Sequence, residues 1–367
     1  MKYNWHLPNW PEFRFSLEEI EDDLFAFAEE TGLVSGLLQA TPKDIQLATI
    51  VNTMVAEAIK TSEIEGEYLS RQDVVSSIKN KLGIHQASHN IKDLKAKGAG
   101  ELMVNVRESY ADPLSKEMLF EWHTLLMKGS PGIKPGAWRK GKSPMHVVSG
   151  PIGKETIHFE APPSTKVAAE MKRFIQWFNE TAPGNTKEIK KAPVRSAIAH
   201  LYFESIHPFE DGNGRIGRAI AEKVLSQTIG RPIVLSLSRT IESDKKAYYN
   251  ALKEAQQNTD VTKWIKYFTR ILLKAQTDTK QLIEYTLTKS KFIDKHKHKL
   301  NERQLKVINK MLDAGPNGFK GGMTAKKYIS VTRASKATAT RDLQSLVEIN
   351  ALQVEGGGRS TNYSLNI

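Results

Sequence analysis

The feature that most restricts the fold is a glycine-rich loop between two helical patterns, at residues 206–218 with the sequence IHPFEDGNGRIGR. Its glycines, Gly212, Gly214 and Gly217, have the G-x-G-x-x-G spacing of dinucleotide-binding turns, which follow a β-strand. The preceding stretch, PVRSAIAHLYFESI, instead repeats its apolar residues at intervals of three and four, which is the period of a helix. The pattern therefore predicts helix, loop and helix, and it excludes a Rossmann-type unit here.

The composition excludes several classes of protein. Of the 367 residues, 40% are hydrophobic and 26% are charged, which is typical of globular proteins. The absence of cysteine excludes disulfides, thiolate metal sites and cysteine nucleophiles. Because no apolar run reaches about 18 residues and the N-terminus is polar and aromatic, we expect neither a membrane span nor an export signal. The expected compartment is the cytoplasm.

Helical patterns cover most of the chain and predict a mainly α fold. Two strand-like pieces, MHVVS and TIHFE, flank a turn that contains glycine and predict a β-hairpin over about residues 145–159. We expect an N-terminal helical extension over 1–100, a main domain over 101–285, a basic linker over 286–300 and a C-terminal domain over 301–367.

The C-terminal part carries most of the net charge of +12. Residues 281–367 contain 15 Lys and Arg against 7 Asp and Glu. From residue 301, three helical patterns and two strand-like pieces around GGG resemble a winged helix-turn-helix domain, with Arg359 on its wing. The start of its expected recognition helix contains Ser335, Lys336, Thr338, Thr340 and Arg341. Contact with DNA and a docking or dimerisation role both remain open.

The glycine loop offers groups suited to a polyphosphate. Gly212 and Gly214 allow backbone amides to converge where the second helix begins with its free N–H groups. Arg215 and Arg218, three residues apart, project from the same side of that helix, and their guanidinium groups suit phosphate oxygens. Asp211 is placed to hold Mg²⁺ on those phosphates, because Mg²⁺ takes one or two carboxylates together with water and phosphate oxygens.

His207 lies at the end of the preceding helix and is the group of this segment that titrates near neutral pH. It can accept a proton from an attacking hydroxyl. Taken one at a time, the residues have simpler explanations: His207 and Pro208 end a helix, and Asp211 and Gly212 form a turn. A base, a carboxylate, an amide cluster and two arginines within one short segment favour a site for phosphate chemistry.

The segment matches the Fic signature H-x-F-x-[D/E]-G-N-G-R-x-x-R at every position, and the chain resembles Fic-domain AMP-transferases. These are helical proteins that transfer AMP from ATP to a protein hydroxyl and release pyrophosphate. The resemblance implies that His207 is the general base, Asp211 binds Mg²⁺ and Phe209 is a buried anchor of the nucleotide loop. The nucleotide contacts that it implies, including a downstream YY-x-x-L, are Gly212, Asn213, Gly214, Arg215, Arg218, Tyr248 and Tyr249. For at least one of the two tyrosines, an aromatic helix core is an equal explanation.

The same resemblance gives roles to two other segments. The hairpin over 145–159 matches the flap, whose edge aligns the target protein by main-chain pairing. TSEIEG matches the inhibitory pattern [S/T]-x-x-x-E-[G/N] at Thr61, Glu65 and Gly66. It implies an ion pair between Glu65 and Arg218 that takes the place of the γ-phosphate, so that ATP binds weakly or out of line for attack.

Three functions are therefore considered. The first is transfer of AMP to a Ser, Thr or Tyr hydroxyl of a target protein or of the chain itself. The second is hydrolysis that removes AMP from a modified protein through the same site. The third is a DNA-binding regulator in which the Fic domain senses nucleotide. The sequence leaves open the target, the nucleotide donor and the oligomeric state, including a homodimer.

Overall fold

The structure is a computed structural model that describes residues 3–84, 90–141, 144–149, 156–315 and 318–367. The fold is mainly helical, as predicted, and the described residues form fourteen α-helices and two antiparallel strand pairs. Contacts divide the chain into a first unit, Met1–Leu33 with Ile50–Thr277, and a second unit, Val34–Thr49 with Asp278–Ile367. No helix in the described part of the chain combines the length and apolar content needed to cross a bilayer.

The helices up to the glycine loop are α1 Glu21–Ala40, α2 Lys43–Ile64, α3 Arg71–Lys81, α4 Leu94–Glu108, α5 Lys116–Leu126, α6 Ser164–Glu180 and α7 Ala192–Ile206. Those after it are α8 Asn213–Ile229, α9 Leu237–Ser243, α10 Lys245–Ala255, α11 Thr262–His296, α12 Glu302–Leu312, α13 Ala325–Thr332 and α14 Lys336–Glu348. The strands are β1 His146–Ser149, β2 Thr156–Glu160, β3 Leu352–Glu355 and β4 Asn362–Leu365.

Helix α7 is the centre of the first unit. All of its residues are buried, including the polar Arg195, His200 and Glu204, because most of its other side chains are apolar or small, and Pro193 in its first turn favours a helix start. It packs against α8, the helix that follows the glycine loop. The site is therefore built between two helices whose backbones are fixed by the surrounding core.

The predicted hairpin is present as β1 and β2, with His146 paired to Glu160 and Val147 to Phe159. The turn predicted between the strands lies outside the described residues. Phe159 is buried against Tyr3, with ring centroids 4.9 Å apart. The N-terminal aromatic residues thus hold one face of the hairpin by packing.

The second unit contains α12, α13, α14 and the β3–β4 pair around a core of its own. Asp342 accepts hydrogen bonds from the Tyr328 hydroxyl at 2.8 Å and from Arg303 Nε at 2.9 Å, which ties α12, α13 and α14 together. The winged-helix interpretation of this region stays a prediction. Helix α11 continues to His296, so most of the span predicted as a basic linker, 286–300, is helical.

Candidate active site

The chain reverses sharply at His207, where φ is +51°, a left-handed conformation that ends α7. The buried side chain of Arg139 holds this turn: its Nε donates to the carbonyl of His207 at 2.8 Å. Its backbone N–H also donates to the carbonyl of Pro208 at 2.9 Å. Arg139 therefore fixes the backbone at the residue predicted to be the base.

The loop after His207 is closed by its own side chains. Asn213 donates from Nδ2 to the Phe209 carbonyl at 2.9 Å and accepts from the Phe209 N–H at 2.8 Å. Phe209 is buried and stacks on the His123 ring, with centroids 4.1 Å apart. Burial lowers the pKa of His123 to about 4, so its ring is neutral near pH 7 and accepts a hydrogen bond from the Gly136 N–H at 2.9 Å. The amide of Asn213 thus shapes the loop, and its contact with a phosphate stays a prediction.

Each glycine of the G-x-G-x-x-G run has a separate structural reason. Gly212 has φ +81°, and a Cβ there would lie 2.9 Å from the Met127 methyl. At Gly214 a Cβ would overlap the carboxylate of Glu65, and at Gly217 it would overlap that of Glu204. Two of the three glycines therefore make room for carboxylates in the described structure.

Arg218 is almost fully buried, at 1% exposure, and is held by the segment that ends α2. Its Nε donates to Thr61 Oγ1 at 2.7 Å, and its Nη2 donates to the Thr61 carbonyl at 2.9 Å and to Glu65 Oε1 at 2.7 Å. Burial acts to lower the pKa of Arg218, but the Glu65 carboxylate holds it above its ordinary value. Gly66 follows with φ +81°, which reverses the chain directly after Glu65.

Arg215 is also buried and paired with a carboxylate from the same segment. Its Nη1 contacts Glu67 Oε2, and its Nη2 lies 3.2 Å from Asp211 Oδ1. The second oxygen of Glu67 is 2.6 Å from Lys95 Nζ. Both signature arginines are thus engaged by carboxylates of residues 65–67.

Asp211 fits a magnesium ligand. Its Oδ1 accepts from the Gly212 N–H at 2.6 Å, and its side chain is 49% exposed and faces solvent beside the helix start. Among the residues that the structure describes, no group of three or more His, Asp or Glu side chains could hold a metal alone. A single accessible carboxylate is nevertheless the donor expected for an ion that takes its remaining ligands from phosphates and water.

The two tyrosines predicted beside the adenosine lie in different environments. Tyr248 is buried in the core and its hydroxyl lies 2.7 Å from His200 Nε2. Tyr249 is 40% exposed. Tyr248 therefore belongs to the aromatic interior, which was the alternative explanation, and Tyr249 is the tyrosine available to a nucleotide.

Four residues near the signature were missed by the sequence analysis: Glu67, His123, Arg139 and Glu204. Glu67 and Glu204 lie within three residues of predicted site residues, and Glu204 is a charged side chain in an apolar pattern, which is a detectable signal. His123 and Arg139 reach the loop only through tertiary packing, so no local pattern identifies them.

Comparison with known proteins gives two family matches. Residues 113–225 match the Fic/DOC family, and residues 3–84 match a domain of unknown function, DUF4172. A probable protein adenylyltransferase of Aquifex aeolicus is 31% identical over 103 residues, which are 28% of each chain. Protein adenylyltransferase fic-1 of Caenorhabditis elegans is 28% identical over 101 residues, which are 28% of this chain and 18% of that protein. The aligned region is thus less than a third of these curated relatives.

Solved structures support the same assignment at the level of the fold. A Fic family protein from Desulfovibrio desulfuricans superposes with a TM-score of 0.52 at 19% identity, covering 97% of this chain and 98% of the other. Fic-1 from C. elegans gives a TM-score of 0.53 at 20% identity, covering 74% of each chain. The chain therefore shares the fold of solved Fic proteins, and its residues 113–225 match the Fic/DOC family.

Proposed function

We propose that the protein transfers AMP from ATP to a Ser, Thr or Tyr hydroxyl of a protein and that Glu65 keeps this site in an inhibited state. The observation that carries the proposal is the contact of Glu65 with Arg218 inside a complete Fic signature. The names of the curated relatives, which are protein adenylyltransferases, support the reaction class.

The reaction needs a base, an anion site and an aligned acceptor. The acceptor oxygen attacks the α-phosphorus of ATP, the bond to the β-phosphate breaks, and pyrophosphate leaves. The hydroxyl proton passes to His207, whose position is fixed by the turn that Arg139 holds. The N–H groups at the start of α8 face the developing phosphate charge. Mg²⁺ on Asp211 would neutralise phosphate charge when it is bound.

Inhibition follows from competition for one guanidinium group. The carboxylate of Glu65 occupies the buried Arg218 in the manner in which a phosphate oxygen would. Because a hydrogen bond to a charged group contributes about 1.5–3 kcal/mol, its loss on ATP binding would weaken binding roughly 10- to 100-fold. The group that Glu65 would exclude from Arg218 is the γ-phosphate of ATP.

The β1–β2 hairpin is proposed to align the target segment. Among the described residues the pair forms a two-stranded sheet, so the outer edge of β1 is where an extended peptide can add main-chain hydrogen bonds. The Trp5 indole N–H donates to the carbonyl of Glu160 at 2.8 Å, which fixes the end of β2. Arg139 donates to the carbonyls of Pro162, two residues after β2, and of His207, so the end of the hairpin lies near the candidate base.

The test is transfer of label from α-phosphate-labelled ATP in the presence of Mg²⁺, read by intact mass and by label in lysate proteins. Glu65→Ala should modify itself or other proteins at least tenfold more than wild type, and Glu65→Ala with His207→Ala should be inactive. Glu63→Ala is the matched control, because Glu63 lies two residues earlier and pairs with Lys60. It should behave like wild type.

Absence of transfer by every variant contradicts the proposal. If wild type then removes AMP from a pre-modified protein, the same site works as a hydrolase. If it does neither, a regulator whose Fic domain senses nucleotide becomes the better account.

A further inference from the structure

One carboxylate near the candidate base has no role in the reaction described above. Glu204 lies three residues before His207, in the last turn of α7, and its Oε2 is 3.6 Å from Nδ1 of the imidazole ring. Both side chains are largely enclosed, with 6% exposure for Glu204 and 14% for His207. Among the described residues, neither His207 Nδ1 nor Glu204 Oε1 has a hydrogen-bond partner. The two groups thus face each other across a short gap in the interior.

The surroundings of Glu204 favour an ionised carboxylate. The titratable and charged groups that face it are His200 and His207 on α7 and its end, Arg218 on α8, and Tyr248 on α10. Burial raises the pKa of Glu204, but His207, His200 and Arg218 outweigh this effect and hold it below its ordinary value. A buried negative charge therefore lies beside the ring near pH 7.

Several of the groups that could neutralise this charge are engaged elsewhere, although His200 Nδ1 has no hydrogen-bond partner among the described residues. The Nε and Nη2 groups of Arg218 donate to Thr61 and Glu65, and Nε2 of His200 is bonded to the Tyr248 hydroxyl. Gly217 leaves the space that the carboxylate occupies, since any side chain there would overlap Glu204 Oε1. Among the described residues, the ion-pair contact of Glu204 is with His207, and Glu204 is not part of a separate structural ion pair.

We propose that Glu204 is a positioning residue that keeps the proton of neutral His207 on Nδ1, leaves Nε2 as the base, and stabilises the imidazolium formed during transfer. The inference rests on the proposed AMP transfer. The acceptor hydroxyl forms its bond to the α-phosphorus, pyrophosphate departs with the electrons of the broken P–O bond, and the hydroxyl proton moves to Nε2. The imidazolium then carries a proton on each nitrogen, and Glu204 stays ionised opposite Nδ1.

The first test measures the ring itself and does not depend on transfer. In protein labelled with ¹⁵N-histidine, the His207 signals are assigned by their loss in His207→Ala and are followed through pH 5–9. Glu204→Gln should lower the titration midpoint of His207 by about 1 pH unit or more, because an opposite charge within a few ångströms favours the protonated ring. In this variant, neutral His207 should also lose its excess of the Nδ1–H tautomer. Glu210→Gln, which removes an exposed carboxylate three residues after His207, should leave both unchanged.

The second test measures turnover in the Glu65→Ala background. Glu204→Gln should reduce kcat roughly 10- to 100-fold with little change in KM for ATP, and it should move the acid limb of the pH profile to lower pH. Glu204→Asp keeps the charge and should restore part of kcat. If Glu204→Gln does not fold, as judged by tryptophan fluorescence, Glu204→Asp is compared with wild type instead. Its shorter side chain places the carboxylate farther from Nδ1, so kcat and the acid limb should change in the same direction but by less.

An unchanged His207 midpoint and tautomer in the folded Glu204 variant would overturn the inference, whatever its activity. If no variant transfers AMP but the midpoint shifts as expected, the proposed reaction fails while the pairing of Glu204 with His207 holds.

Discussion

Helices α8 and α14 both carry basic side chains near their starts, but in opposite environments. On α8, Arg215 and Arg218 are buried and each contacts a carboxylate of the segment that follows α2. On α14, Lys336 and Arg341 are exposed, and neither has an ion-pair partner among the described residues. The same charge therefore has different consequences. A buried pair couples two chain segments strongly, whereas an exposed cation acts through solvent and through polyanions.

The largest expected effect is on stability at Arg218. Arg218→Met leaves Glu65 and Thr61 without their shared partner, and we expect a loss of about 3–5 kcal/mol. Lys336→Met should change stability by less than about 0.5 kcal/mol. Denaturation followed by far-UV circular dichroism reports on the helices of both units, and tryptophan fluorescence isolates the first unit, because all 6 tryptophans lie there. Equal stability of the two variants would remove the distinction between the helices.

A second contrast concerns carboxylates and pH. Burial, helped by Glu57, raises the pKa of Glu222 on α8 to about 8, against the attraction of Arg107. The pKa of Glu222 is therefore higher in the folded than in the unfolded protein. The stability that its carboxyl group contributes below about pH 4.5 is lost as the pH rises through 8. The free energy of unfolding of wild type should thus fall by about 2 kcal/mol between pH 4.5 and 8.5, and that of Glu222→Gln should not show this fall. Glu348→Gln, at an exposed position of α14, should follow wild type. If the free energy of unfolding depends on pH in the same way in all three proteins, Glu222 is not the source of the effect.

A smaller effect is expected at the other signature arginine. The carboxylate of Glu67 contacts Arg215, and removing its charge should free the guanidinium group for a distal phosphate. In the Glu65→Ala background, Glu67→Gln should tighten ATP binding by roughly threefold to tenfold by calorimetry. Weaker binding would instead mean that Glu67 orients Arg215 for ATP.

The smallest effect concerns the exposed cations. If residues 301–367 bind duplex DNA, each contact between a basic side chain and a phosphate adds about one to the slope of log affinity against log salt. Lys336→Ala and Arg341→Ala should each reduce that slope by about 1 with no change in ATP binding. An absence of DNA binding at low salt would leave docking or dimerisation as the role of this region.

Local patterns predicted the elements that position the site. The two strands lie within one residue of their predicted ends, and helix, loop and helix occur in the predicted order around the glycines. The residue types within 207–218 also indicated phosphate chemistry, because their roles depend on neighbours in sequence. The ion pair expected between Glu65 and Arg218 is present, and its inhibitory role stays a prediction.

Features that depend on tertiary packing were not predictable. Arg139 reaches the His207 turn from 68 residues away in sequence, and Tyr248 points inward because His200 lies opposite it. The helical continuation of α11 into the basic span was also hidden, because charged residues occur equally in linkers and on exposed helix faces. Such features are decided by partners that a local pattern does not contain.

The most direct test of the central claim is calorimetric binding of ATP with Mg²⁺ to His207→Ala protein, with and without Glu65→Ala. The His207 substitution prevents turnover, so only binding is measured. If Glu65 competes with a phosphate for Arg218, removing it should strengthen ATP binding roughly 10- to 100-fold. The claim is contradicted if the two His207→Ala proteins bind ATP with equal affinity and if Glu65→Ala alone transfers AMP no faster than wild type. Glu65 would then not control the site.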